Sequence, residues 1–109
     1  MKSDENGMPI AGDKYGFIEQ NVNLSPDLPG VYALYDGDDL VYYGRAGGDG
    51  VTLRSCLLSH LRGNEGPLTQ QATHYKREQS VQPVTREMEL LQEFVAAHRK
   101  PPRCNSKRG

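Results

Sequence analysis

Four phenols crowd into residues 31–43: Tyr32, Tyr35, Tyr42 and Tyr43. Arg45 and Arg54 follow them, then His60, and further on a run of carboxylates at Glu87, Glu89 and Glu93. A phenol titrates near ~10 and serves as a proton acceptor only beside a cation or another base. Imidazole titrates near ~6.5 and can carry a proton at neutral pH. A guanidinium presents a fixed fork of donors to an oxyanion. One carboxylate is enough to anchor a hard divalent cation that keeps most of its waters. Brought together, these groups suit acid–base chemistry at an anionic centre. His60, His74 and His98 share no metal-ligand spacing, so a three-histidine centre is not expected.

The elements that must position these side chains are legible in part. Gly30-Val31-Tyr32-Ala33-Leu34-Tyr35 has the β-branched and aromatic content of a strand, and Leu40-Val41-Tyr42-Tyr43-Gly44 reads as a second. Asp36-Gly37-Asp38-Asp39 between them contains an Asp-Gly turn signal, so the pair forms an antiparallel hairpin. Even spacing within each strand leaves the direction of Tyr32 and Tyr42 open. Gly47, Gly48 and Gly50 make a loop, and a helix is expected from Val51 or Thr52 to Gly63. At ~100° per residue, Leu53, Leu57 and Leu61 form its apolar stripe, with Ser55 and Ser59 opposite. Residues 64–71 read as a loop, followed by an edge strand around His74–Arg77. After Pro83, Thr85 is a plausible N-cap for a helix reaching about His98, with a stripe of Val84, Met88, Leu91 and Val95 flanked by Leu90 and Phe94. Pro101-Pro102 stops it. The predicted fold is α+β, a small antiparallel three-stranded sheet flanked by helices.

Within the second helix the carboxylates differ. Glu87 lies along the flank of the apolar stripe, whereas Glu89 stands ~200° from Leu91 and should face water with Glu93. Glu87 is therefore the one expected to reach a cleft, although a carboxylate near Thr85 also favours the start of a helix.

The wording of the hairpin resembles the paired motif of the GIY-YIG nucleases: Gly30-Val31-Tyr32, nine residues, then Tyr42-Tyr43-Gly44. Arg54 on the first helix, Glu87 on the second and the ending Pro102-Arg103-Cys104-Asn105 continue the likeness in the same order, over about residues 29–105. The resemblance implies a GIY-YIG-like domain and a metal-dependent endonuclease hydrolysing DNA. Its Mg²⁺ (or Mn²⁺) would be held by Glu87. Tyr32 and Tyr42 would act near the attacking water, Arg54 would neutralise the phosphate, and Gly30, Gly44 and Asn105 would support the site. Relatives in that family commonly carry a His or Tyr four residues after the arginine. Counting back four from His60 lands on Cys56, so either the glycine loop shifts the register and Arg54 is the family arginine, or Cys56 stands in its place. Arg45 is a further cation close by, and His60 is a candidate proton carrier or phosphate contact. The alternative is a catalytically impaired nucleic-acid-binding or protein-interaction module.

Bulk composition sets the frame. At 109 residues, one domain is expected, with 36% hydrophobic residues and a mean hydropathy of −0.70. The formal net charge is −1. Residues 1–40 hold two Lys against eight Asp or Glu, and residues 41–109 hold eleven Lys or Arg against six. Such a split suits a polyanion partner for the basic part, with Arg45, Arg54 and Arg103 as candidate nucleic-acid contacts and a protein partner on the acidic part. Residues 1–27 are expected as an acidic, loosely ordered arm pinned through Phe17 and Ile18, 28–105 as the domain, and 106–109 as a basic tail. Two cysteines without disulfide or zinc spacing, no span of ~18 apolar residues and no apolar leader at Met1–Glu5 point to a cytoplasmic protein that neither crosses nor enters a membrane.

Overall fold

A computed structural model describes residues 9–105. The first eight residues of the acidic arm and the tail 106–109 lie outside them. The chain runs β1 (Tyr15–Gly16), α1 (Glu19–Val22), β2 (Gly30–Asp36), β3 (Asp39–Ala46), α2 (Leu53–Leu61), α3 (Pro67–Gln70), β4 (His74–Gln79) and α4 (Pro83–His98). The α+β class holds, but the sheet has four antiparallel strands rather than three, in the order β1-β4-β2-β3. The fourth strand comes from the segment expected to be loose. Tyr15 and Gly16 pair with Tyr75 and His74, and Ile10, Phe17 and Val22 are buried, while Ile18 is half exposed. β4 is consequently an inner strand between β1 and β2, not an edge.

The sheet separates two apolar layers. One face carries Tyr32, Leu34, Tyr42 and Tyr75 against Phe17, which precedes α1, Val22 of α1, and Leu53 and Leu57 of α2. The other carries Val31, Ala33 and Tyr43 against Leu90, Leu91 and Phe94 of α4. Each fully buried Leu contributes about 1.5–3 kcal/mol by leaving water. Pairing and alternation send Tyr32 and Tyr42 to one face and Tyr43 to the other, but they would not place Val41 beside Tyr42. The register between β2 and β3 shifts at Leu34/Tyr35, so that Leu34 opposes Tyr42 while Tyr35 opposes Leu40. The extra residue, Val41, lets Val41 and Tyr42 both join the α2 layer.

Thr52 starts α2 with a reciprocal pair: its Oγ1 accepts from the Ser55 amide (3.2 Å), and the Ser55 hydroxyl oxygen accepts from the Thr52 amide (2.9 Å). α4 begins one turn earlier than Thr85 suggests, at Pro83, where a missing N–H costs nothing. Its buried side is also rotated. Glu87 and Leu90 are buried, whereas Val84, Met88 and Val95 are 54%, 54% and 41% exposed. Arg86 donates twice to Glu78 on β4, at 2.7 and 3.1 Å, and so ties this side of the helix to the sheet. Leu90, Leu91 and Phe94 are the apolar side chains that pack on the sheet, and the Arg86–Glu78 pair lies beside them.

The chain end is tied to β3. The Cys104 amide donates to the Val41 carbonyl (2.9 Å), and the Asn105 side chain accepts from the Tyr43 amide and donates to the Tyr43 carbonyl, both at 2.9 Å. Arg103 bridges Asp39 (2.8 Å) and Asp36 (3.0 Å) across the hairpin turn. No helix among the described residues is long and apolar enough to cross a membrane.

Candidate active site

Where α2, the end of β3 and the start of α4 meet, a cleft of about 770 Å³ opens, and Tyr32, Tyr42, Arg45, Cys56, His60 and Glu87 all line it. Two glycines behind it permit close packing. Gly44 lies opposite Tyr32 in the register, and a Cβ there would overlap the Tyr32 ring, reaching its hydroxyl oxygen at 2.5 Å. The phenol can lie flat across β3 only because position 44 has no side chain. A Cβ on Gly30 would meet the Glu78 carbonyl oxygen and approach Leu53 Cδ1 to 2.9 Å, so this glycine lets β4 and α2 close around β2.

Tyr32 and Tyr42 are 3% and 4% exposed, with ring centroids 6.1 Å apart. His60, also buried, bonds the Tyr32 hydroxyl through Nε2 (2.9 Å) and Thr69 Oγ1 through Nδ1 (2.7 Å). Its ring centroid stands 5.0 Å from that of Tyr42. A neutral imidazole has one donor and one acceptor nitrogen, so this chain of three groups can pass a proton along its length. Thr69 is a member that sequence reasoning missed. It sits on α3, within the segment expected to be a loop, where Gly66-Pro67 was the visible sign of a helix start.

Glu87 is the inward carboxylate of α4, and Arg45 donates to its Oε1 at 2.7 Å. Glu89 lies on the outer side, as expected, but Glu93 is half-buried rather than fully solvated. Arg54 is not in the cleft. Its Nε donates to the Ser25 carbonyl (2.9 Å), holding α2 to the connection between α1 and β2, toward which position 54 points. Position 56 is the one that faces the cleft, and it carries a cysteine. Burial pushes the Cys56 thiol up and Glu65 adds to this, against hydrogen bonds from Ser55 and Tyr32 that lower it. The net shift favours the neutral thiol over the thiolate. Arg103 and Asn105 also stand away from the cleft. The first pairs with the hairpin aspartates, and the second holds Tyr43 and so steadies the strand that carries Tyr42.

Tyr43 faces α4 on the other side of the sheet, and its phenol is pushed up to about 12, by burial first, then by Tyr35 and Glu93, against Arg86. A value raised in the folded state means the neutral phenol favours folding below ~10, and that contribution is lost as pH climbs through the folded value of about 12. Tyrosinate absorbance during an alkaline titration should show a late-ionising phenol that Tyr43→Phe removes, together with a shallower loss of stability across that range.

The donor set bears on a cation. Among the described residues no three His, Cys, Asp or Glu side chains cluster as a ligand cage. Mg²⁺ does not need one, since it is usually held by one or two carboxylates, water and phosphate. Glu87 fits that pattern. Arg45 meets its Oε1, and Oε2 makes no hydrogen bond among the described residues. Glu65, whose Oε2 accepts from the Ser59 hydroxyl (2.8 Å), supplies a second carboxylate at the rim. In comparisons with known proteins, neither a family model nor a curated sequence matches the chain.

Proposed function

We propose that the cleft binds a nucleic-acid phosphate and that the protein is a metal-dependent endonuclease, with DNA as the first substrate to test. The observation that carries this reading is the convergence of Tyr32, Tyr42, His60, Arg45 and Glu87 on one cleft, from four separate elements. Glu87 would hold Mg²⁺ or Mn²⁺, which when bound stabilises charge building on the phosphoryl and leaving oxygens. Tyr32 is suited to take a proton from an attacking water while handing its own to His60 Nε2, a transfer that Thr69 supports by orienting the ring. Tyr42 closes the wall beside that water, and Arg45 is the guanidinium on hand for the phosphate. The likeness of the hairpin to the GIY-YIG motif agrees with these roles.

A second reading, a nucleic-acid-binding module with impaired catalysis, is favoured by one observation: of the two positions to which the resemblance could assign the arginine, Cys56 lines the cleft and Arg54 does not. Supercoiled plasmid, branched DNA and RNA incubated with the protein, with Mg²⁺ or Mn²⁺ and then with chelator, separate the two. Cutting that requires metal and stops with chelator is the expected outcome. Retention of nucleic acid with no cutting under any condition would favour the module, and absence of both would end the nucleic-acid reading.

A further inference from the structure

We propose that Arg45 is an exchangeable counter-ion for Glu87. It neutralises the carboxylate until a divalent cation takes its place, and its guanidinium then turns to the phosphate in the cleft. This rests on the metal-dependent reading above. The starting observation is an asymmetry within the ion pair: the Glu87 side chain is 10% exposed and that of Arg45 52%. A carboxylate so deep requires a cation beside it, because an uncompensated buried charge is costly. The arginine has no such need. It leans in from the end of β3 at the rim, next to the Gly47–Gly48 turn, and a single N–H meets the carboxylate. Its head can leave into solvent at little cost, on a stem long enough to swing.

Arg45 is also the only Arg or Lys among the described residues that line the cleft. Position 56 faces inward with a cysteine, and no other guanidinium lies within the wall to meet a phosphate. A cation at Glu87 and Arg45 at Glu87 compete for the same negative charge, so one event both seats the metal and frees the phosphate donor. The free protein is thereby held with its anionic site neutralised.

Competition and phosphate binding predict effects of opposite sign for one substitution, which a merely structural arginine would not give. Mn²⁺ alone is titrated into the full-length protein, reading free Mn²⁺ by electron paramagnetic resonance, and cleavage is measured separately. Arg45→Gln should bind Mn²⁺ roughly tenfold more tightly yet cleave about 10²-fold more slowly, the usual cost of one lost oxyanion donor. Arg45→Lys should fall between wild type and Arg45→Gln in both, and circular dichroism confirms that each variant is folded. If Glu87→Gln abolishes Mn²⁺ binding but Arg45→Gln leaves it unchanged or weaker, the exchange is wrong and the metal site stands. If the wild-type protein shows no Glu87-dependent Mn²⁺ binding, both the exchange and the metal-dependent reading fall.

Discussion

Glu87→Gln is expected to reduce metal-dependent cleavage by about 10³-fold, the upper end of what removing one preorganised electrostatic group costs. The amide keeps the size and one carbonyl oxygen of the carboxylate but lacks the charge that would anchor the cation. Stability should change by less than about 1 kcal/mol, because the partner, Arg45, is half exposed and its guanidinium can be solvated when the pair is broken. Loss of turnover in a protein that still melts like the wild type is therefore the signature. Glu89→Gln is the matched control, since that side chain is 57% exposed on the outer side of α4. Initial rates and thermal melts of both variants decide the matter, and a Glu87→Gln protein that cuts at the wild-type rate removes the carboxylate from the mechanism.

Gly44→Ala should damage both fold and site through a single methyl group. The new Cβ would occupy space held by the Tyr32 ring, and neither can retreat easily: Gly44 is fixed in the β2–β3 ladder, and the ring is packed between Tyr42 and His60. Overpacking of this kind costs about 1–3 kcal/mol, or roughly 4–8 °C in Tm per kcal/mol for a domain near this size. Displacing the ring also breaks the Tyr32–His60 bond, so cleavage should fall about 10²-fold, as ångström-scale misplacement of a reacting group does. The cause can be isolated. In a Tyr32→Leu background the steric conflict is gone, and Gly44→Ala should then cost much less stability than it does alone. Equal penalties in the two backgrounds would mean that the glycine is needed for some other reason.

The hairpin was legible because its signals are local: β-branched and aromatic runs around an Asp-Gly turn. Of the two carboxylates it is Glu87 that reaches the cleft and Glu89 that faces out, although the apolar stripe behind that expectation was misplaced. Val84, Met88 and Val95 repeat at helical spacing and yet stay largely exposed, because Leu90, Leu91 and Phe94 are the apolar side chains that pack on the sheet. Periodicity offered two overlapping stripes and could not tell which of them the sheet would cover. β1 was invisible for a different reason: two residues carry no pattern, and Tyr15–Gly16 becomes a strand only because β4 offers a partner. The same blindness to distant partners made β4 look like an edge. Between Arg54 and position 56, helical spacing offered a sector but no direction. The Ser25 carbonyl, 29 positions earlier, is what takes the arginine away from the cleft. His60 was visible as a candidate, whereas Thr69, which orients it, belongs to a four-residue helix too short to announce itself.

The Asn105 amide imitates a strand residue, giving and receiving one bond with the backbone of Tyr43, while Cys104 takes the carbonyl of Val41. Left bare, those groups on β3 would offer another molecule a template for strand addition, a recognised route to amyloid and domain swapping. The opposite margin of the sheet is a strand of only two residues. Self-association by sheet extension is thus guarded at one border by brevity and at the other by the protein's own last described residue. A truncation ending before Cys104 would unmask a ladder that the intact protein keeps occupied.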